Sequence, residues 1–292
     1  MFLCDICRHG RQTCKRCGKV SAEAKDRKKS ELFCEKTDVA PEKSDWEMRK
    51  IGVITDVHGN LPALQAILAR LQAEKVEEIL HLGDVVDMGP YSAECLHLLH
   101  QTPNVTMLMG NHDKDFVMND YIAKHLSHVP TEHKKFVFGG LTEDDRQIVA
   151  RVSVYAERIC GGAKLQFVHY AYDRNNPPKT VADICFKWIE QHPTAEGLDK
   201  TFDTFDGEAV FFGHKHEKCD IQGKMLYVDV GSVGCHPEAE ATGIVIDYDD
   251  NGWSYRRVST PYDMESLRKA MSEMPCGEQI FDFYFMRKHV AY

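Results

Sequence analysis

A helix-covered, largely parallel α/β sheet is predicted by two features of this 292-residue sequence. Apolar runs of strand length alternate with amphipathic runs of helix length. Acids, amides and histidines stand where several apolar runs stop. IGVIT (51–55) is a short β-branched run that predicts a strand. After it, Leu61, Leu64, Ile67, Leu68 and Leu71 recur at helical spacing, with Asn60 placed to cap and Pro62 in the first turn. VEEILHLG (76–83) predicts a second strand, SAECLHLLHQ (92–101) a helix, and NVTMLMG (104–110) a third strand. Strand–helix–strand alternation at this spacing favours parallel pairing with both faces covered. Residues 114–151 read as a mostly helical, polar insertion beside the strand ends. Strands are expected at 152–159, 163–168, 208–213, 225–230, 242–248 and 253–258, the last two flanking the hairpin signal DDNG. With few helices between them, these six suggest a second, more antiparallel layer. MESLRKAMSEM (264–274) reads as a helix, and the segment from Gln279 is expected to cover a sheet edge.

Three units follow: a Cys-rich head and polar linker at 1–49, a main domain at 50–260, and a C-terminal helix and tail at 261–292 packed on that domain. Apolar residues make up 43% and charged residues 28%, as in ordinary globular proteins. No apolar run approaches the roughly 18–20 residues that span a bilayer. The first residues lack the layout of a secretory signal, so a cytoplasmic location is expected. The net charge of −9 divides unevenly: 13 Lys/Arg against 9 Asp/Glu over residues 1–50, and 23 against 36 over the remainder. The acidic main body argues against a nucleic-acid groove, whereas gathered carboxylates suit metal ions. Cys95, Cys160 and Cys185 read as small core residues, and a disulfide framework is not expected at this length in this compartment.

The chemistry concentrates at strand ends. Five segments far apart in sequence carry it: TDVHGN (Asp56, His58), LGDVVD (Asp84, Asp87), MGNHD (Asn111, His112, Asp113), FVHY (His169) and FFGHKH (His214, His216). Each position alone has an ordinary explanation. Asp56 could cap a helix, Asp84 and Asn111 could be turn residues, and His169 could be a satisfied core histidine. Together they place imidazole, carboxylate and amide oxygen in the crevice beyond the carboxyl ends of the strands, a donor set suited to Mn, Fe, Zn or Co.

These motifs, complete and in order, resemble the calcineurin-like metallophosphoesterase superfamily, with DVHGNLPAL and GDVVDMGPY closest to its small bacterial branch. The resemblance covers about residues 50–260 and implies a two-sheet α/β sandwich flanked by helices. It also implies two divalent cations: one held by Asp56, His58, Asp84 and His216, the other by Asp84, Asn111, His169 and His214. A hydroxide bridging the pair, about 3.5–4 Å apart, would attack a phosphodiester or small phosphate ester in line. By the same resemblance His112 is the general acid, oriented by Asp87, while Gly59 and Asn60 lie near the phosphate. Nucleotides and other small phosphate compounds are the substrates so implied. A phosphoprotein phosphatase is the alternative enzyme, and a non-catalytic metal-binding scaffold the alternative of another class. Three departures bear on substrate choice. Met88 stands where protein phosphatases have arginine, Tyr170 follows His169 where glycine is usual, and DVGSVG (229–234) replaces Asn-Pro-Gly-Ser-Val-Gly.

The head carries Cys4, Cys7, Cys14 and Cys17 as paired Cys-x2-Cys knuckles separated by six residues. Tetrahedral thiolate coordination of a structural zinc is the first reading. The gap is shorter than usual, so a redox-active cluster and an iron–sulfur site stay open. The basic head reads as a solvated linker, with contact to a partner or acidic substrate as the alternative.

Overall fold

The computed structural model describes residues 48–120 and 129–287. The four knuckle cysteines, residues 121–128 of the insertion and the last five residues lie outside the described residues. Two five-stranded mixed sheets pack face to face. The first begins with β1 (Arg49–Ile54), α1 (Leu61–Ala73), β2 (Glu78–His81), α2 (Ser92–Gln101) and β3 (Val105–Met107). Its strands β1, β2 and β3 are parallel, with Ile54 opposite His81 and His81 opposite Met107. Their carboxyl ends therefore lie side by side.

Alternation along β1 explains its burial on both faces. Ile51 and Val53 point into the cluster between the sheets, and Ile54 into the cluster beneath the helices. Gly52 permits close packing of α1, since a Cβ there would meet Leu71 Cδ1 at 2.9 Å. Asn60 caps α1 as predicted, its Oδ1 accepting from Ala63 N at 3.1 Å.

The segment from 111 is more than a polar insertion. It folds as α3 (Asn111–Val117), α4 (Thr131–Gly139) and α5 (Glu143–Ala150), and its Phe116, Val137, Phe138 and Val149 join the main apolar cluster. The second sheet follows with β4 (Tyr155–Cys160) and β5 (Ala163–Val168), then α6 (Ala195–Thr201), β6 (Ala209–Phe212), β7 (Lys218–Gln222) and β8 (Leu226–Val230). Its order is β4-β5-β6-β8-β7, and its inner pairs β5–β6 and β6–β8 are parallel. Both β7 and α6 escaped the sequence reading. β7 alternates between exposed and half-buried positions and shows no apolar run.

The expected second layer is corrected at its last two strands. β9 (Glu240–Asp249) and β10 (Gly252–Pro261) form the predicted hairpin, but β9 pairs antiparallel with β1, so both extend the first sheet. Sheet membership depends on long-range pairing, which local composition does not encode. Ile51, Val53, Leu80, Leu165, Phe167, Phe211, Val228 and Ile244 fill the space between the sheets. After β10, α7 (Met264–Ser272) and α8 (Gly277–Ile280) lead into residues 281–285. Ile280, Phe281 and Phe285 enter the same apolar cluster as residues of α1 and α2 and of strands β1, β2, β9 and β10. Cys95 and Cys160 are buried as expected, whereas Cys185 is exposed. Among the described residues no helix is long and apolar enough to cross a membrane.

Candidate metal centre

The loops after β1, β2, β3, β5 and β6 converge at the carboxyl edge of the two sheets. They do so through unusual backbone: Asp56, His58, Asp84, His214 and His216, five of the seven expected metal-ligating residues, adopt positive φ between 49° and 76°. Side chains other than glycine rarely occupy that region, and each instance costs about 1–2 kcal/mol. Strain of this kind is retained where surrounding contacts over-determine it. Here those contacts are visible. Gly59 N donates to Val85 O (3.0 Å), Gly89 N to His58 O (2.9 Å), and Gly234 N to Asp56 O (2.9 Å), tying three loops together. A Cβ on Gly89 would lie 2.3 Å from His58 O, so the approach of these loops requires glycine at 89.

Each buried carboxylate divides its oxygens between the protein and the crevice. Asp56 Oδ2 accepts from Thr55 Oγ1 (2.7 Å) and His214 N (3.0 Å), while Oδ1 has no hydrogen bond. Asp84 Oδ1 accepts from His112 N (2.8 Å), and its Oδ2 lies 3.1 Å from His169 Nε2 and 3.8 Å from His58 Nε2. Two groups of donors meet at that oxygen. In one, Asp56 Oδ1 stands 3.1 Å from His216 Nε2 and 3.6 Å from His58 Nε2, with the two imidazole nitrogens 3.0 Å apart. In the other, Asn111 Oδ1 stands 2.9 Å from His214 Nδ1 and 3.2 Å from His169 Nε2. Neighbouring ligands on a cation with bonds of about 2.1 Å are separated by roughly 3.0–3.4 Å. The donor spacing fits divalent cations, and the unpartnered Asp56 oxygen suits a positive charge.

Electrostatics agree with that fit. Burial opposes ionisation of Asp56 and Asp84, yet neighbouring imidazoles, His169 foremost, hold both well below the usual carboxylate range. Conversely, burial disfavours protonated His169, but Asp84 and then Asp56 pull it up to about 9. The carboxylates thus draw a proton onto a buried ring in the absence of another cation. Burial keeps His214 well below its ordinary value, as a neutral ligand requires, and takes the fully buried His81 down to about 3.

His112 stands at the edge of this cluster, its ring 5.0 Å from that of His58 and nearly perpendicular to it. His112 Nδ1 lies 2.7 Å from Asp87 Oδ2. Burial works against the Asp87 carboxylate, but His112, Lys134 and the Met88 N–H together hold it down at about 2. Lys134, fully buried on α4, was not singled out in the sequence. Its Nζ is 2.7 Å from Asp115 Oδ2 and 3.7 Å from Asp87 Oδ2. Lys134→Met should lower the unfolding free energy by about 3–5 kcal/mol, because two buried carboxylates lose their shared counter-charge. Urea denaturation checks it, and a loss below about 1 kcal/mol would contradict the pairing.

Asp113 also went unassigned. Its carboxylate accepts from Asp84 N (2.7 Å), Val85 N (3.0 Å), Val86 N (3.3 Å) and Gly110 N (3.0 Å), so it clamps the Asp84 loop to the start of α3. Only its place in Gly-Asn-His-Asp hinted at a role.

The phosphate-contact expectation for Gly59 and Asn60 meets a physical obstacle. Gly59 N is spent on Val85 O, and Asn60 is fully buried with Nδ2 donating to Gly234 O at 2.8 Å. Both residues hold loops together. The three departures also acquire physical form. Met88 is buried in the apolar cluster and brings no charge to this position. Tyr170 stacks on Phe186 and lies 3.8 Å, ring to ring, from His214, supporting that imidazole from behind. Asp229, standing for asparagine, accepts from Gly231 N (2.9 Å), and burial raises it well above the usual carboxyl value. Burial thus favours the protonated carboxyl over the carboxylate at this position.

Comparison with known proteins agrees with this architecture. The family model described as calcineurin-like phosphoesterase matches residues 49–218. An uncharacterized protein of Methanocaldococcus jannaschii is 28% identical over 254 residues, 79% of this chain and 97% of that protein. Serine/threonine-protein phosphatase 2 of Escherichia coli is 39% identical over 66 residues, 22% of this chain and 30% of that protein. Among solved structures, a metallophosphoesterase from Sphaerobacter thermophilus shares the fold with a TM-score of 0.60 at 22% identity, over 80% of this chain and 96% of that one.

Proposed function

Because the chain belongs to the calcineurin-like phosphoesterase family, a family of hydrolases, we propose that it is a dinuclear metal-dependent enzyme that cleaves a phosphodiester or small phosphate ester. The observation that carries this reading is the shared Asp84 oxygen, on which two sets of buried donors converge. Asp56, His58, Asp84 and His216 hold one cation; Asp84, Asn111, His169 and His214 hold the other. Divalent ions so bound, Mn, Fe or Zn, supply Lewis acidity at the phosphoryl oxygens and a nucleophile at neutral pH.

The chain's own groups do the rest. Asp84 sets the two donor groups at a fixed separation. Asn111, being neutral, limits the negative charge around the second cation. Asp87 keeps Nδ1 of His112 protonated, so that Nε2 is the nitrogen that delivers a proton to the departing oxygen. The 2.7 Å contact between them fixes the ring, and Lys134 in turn restrains Asp87. A phosphoprotein substrate is disfavoured because residue 88 is a buried methionine instead of an arginine able to grip phosphate.

Hydrolysis of bis-p-nitrophenyl phosphate by full-length protein, stripped with a chelator and reloaded with Mn2+, tests the reading. Release that disappears on stripping and returns with metal is expected. A folded protein holding two equivalents of metal with no turnover of diesters, monoesters or nucleotides would favour the scaffold instead.

A further inference from the structure

Beside the first donor group lies one metal-binding side chain that the proposed reaction leaves unused. Cys235 is fully buried, and its sulfur lies within 4.8 Å of ligand nitrogens on both His58 and His216. The turn before it is pinned to the loop that carries Asp56 and His58. Gly234 N and Ser232 Oγ both donate to Asp56 O, at 2.9 and 2.8 Å, and Cys235 N donates to Ser232 Oγ at 2.8 Å. The thiol is thus positioned by the same backbone network as the two ligands it approaches. Asp56 Oδ1, fully buried and without a hydrogen bond, lies 3.1 Å from His216 Nε2, one of the two imidazoles the thiol approaches. Nitrogen and sulfur ligands on a tetrahedral zinc ion, with bonds near 2.1 and 2.3 Å, stand about 3.6 Å apart. The sulfur, within 4.8 Å of both imidazoles' ligand atoms, is brought to that spacing by a movement of about 1.2 Å at most.

We propose that Cys235 is a thiolate ligand to the cation held by Asp56, His58, Asp84 and His216. The proposal rests on the two-metal reading above. On binding, the S–H bond breaks, its proton passes to solvent water, and a sulfur–metal bond forms with no change in oxidation state. A soft thiolate tilts this position toward zinc or iron over manganese. The second position, with only oxygen and nitrogen donors, feels no such bias. The two cation positions are therefore chemically unequal in this chain. The competing role for Cys235 is packing alone, since it also sits in the apolar cluster with Val57 and Val233.

Cobalt absorption separates these roles without relying on activity. The full-length double variant Cys4→Ser/Cys7→Ser, and the same chain with Cys235→Ser or Cys235→Ala added, are each stripped and reloaded with Co2+, with bound cobalt measured. The double variant accounts for any cobalt held by the head. A near-ultraviolet sulfur-to-cobalt band that persists in the double variant and is lost in both Cys235 variants, at equal bound cobalt, is the expected result. Spectra of the double variant and of the Cys235 variants made in it that coincide would overturn the thiolate ligand and leave the dinuclear reading standing. Fewer than two cobalt ions in the double variant would sink the dinuclear reading, and this proposal with it.

Discussion

Asp84→Asn should bind at most one divalent cation per chain and lose phosphoesterase activity by roughly 10³-fold or more. The magnitude follows from removing several kcal/mol of transition-state charge stabilisation, about 1.4 kcal/mol per decade of rate. The loss is expected to be this large because Asp84 Oδ2 belongs to both donor groups, 3.1 Å from His169 and 3.8 Å from His58. Asparagine is the informative replacement, since its carbonyl oxygen can still accept from His112 N, a bond of 2.8 Å in the native chain. A structural collapse and a lost ligand are thereby separated. The metal-free variant offers a second readout. Asp84 is the largest of the influences that draw His169 up to about 9 against the opposing effect of burial. In Asp84→Asn that imidazole should titrate at lower pH, which NMR of the ring nitrogens would follow. Unchanged metal stoichiometry would remove the case for a shared ligand.

His112→Ala should keep both cations and lower kcat by about 10²–10⁴-fold, the range expected for loss of a positioned general acid. The size of the effect should depend on the leaving group. An alkoxide departs poorly without a proton, whereas p-nitrophenolate needs little help, so the variant is impaired most on alkyl esters. Asp87→Asn should show the same leaving-group pattern at smaller amplitude, because it disturbs the 2.7 Å contact that orients the ring without removing the imidazole. Rates measured across a series of leaving groups provide the check. A uniform fall on all substrates would argue that His112 serves structure or ground-state binding instead.

Much of the architecture was legible because it is local. The helix at 92–101 was read at its exact bounds from apolar spacing alone, and Asn60 was identified as a cap from its place before Leu61 and Pro62. The same reasoning missed β7, whose residues alternate between exposed and half-buried, and misplaced Cys185 in the interior. It also treated the residues after 113 as polar cover, although Phe116 and Phe138 pack in the core and Lys134 is buried against Asp115. Composition averages over a segment and does not reveal which of its faces turns inward.

By itself the sequence determined every strand but β7, and which chemical groups terminate the strands that carry the site. Both depend on residues within one element, where side-chain period and turn chemistry act over a few positions. Tertiary structure alone decided that β9 and β10 join the first sheet, that Asp113 clamps the Asp84 loop, and that Cys235 stands beside His58 and His216. It also imposed the positive φ at Asp56, His58, Asp84, His214 and His216, by which the side chains turn toward a common point. Such conformations are unfavourable locally. They persist because hydrogen bonds from distant loops offset the strain, and those bonds join residues too far apart in sequence for any local pattern to announce them.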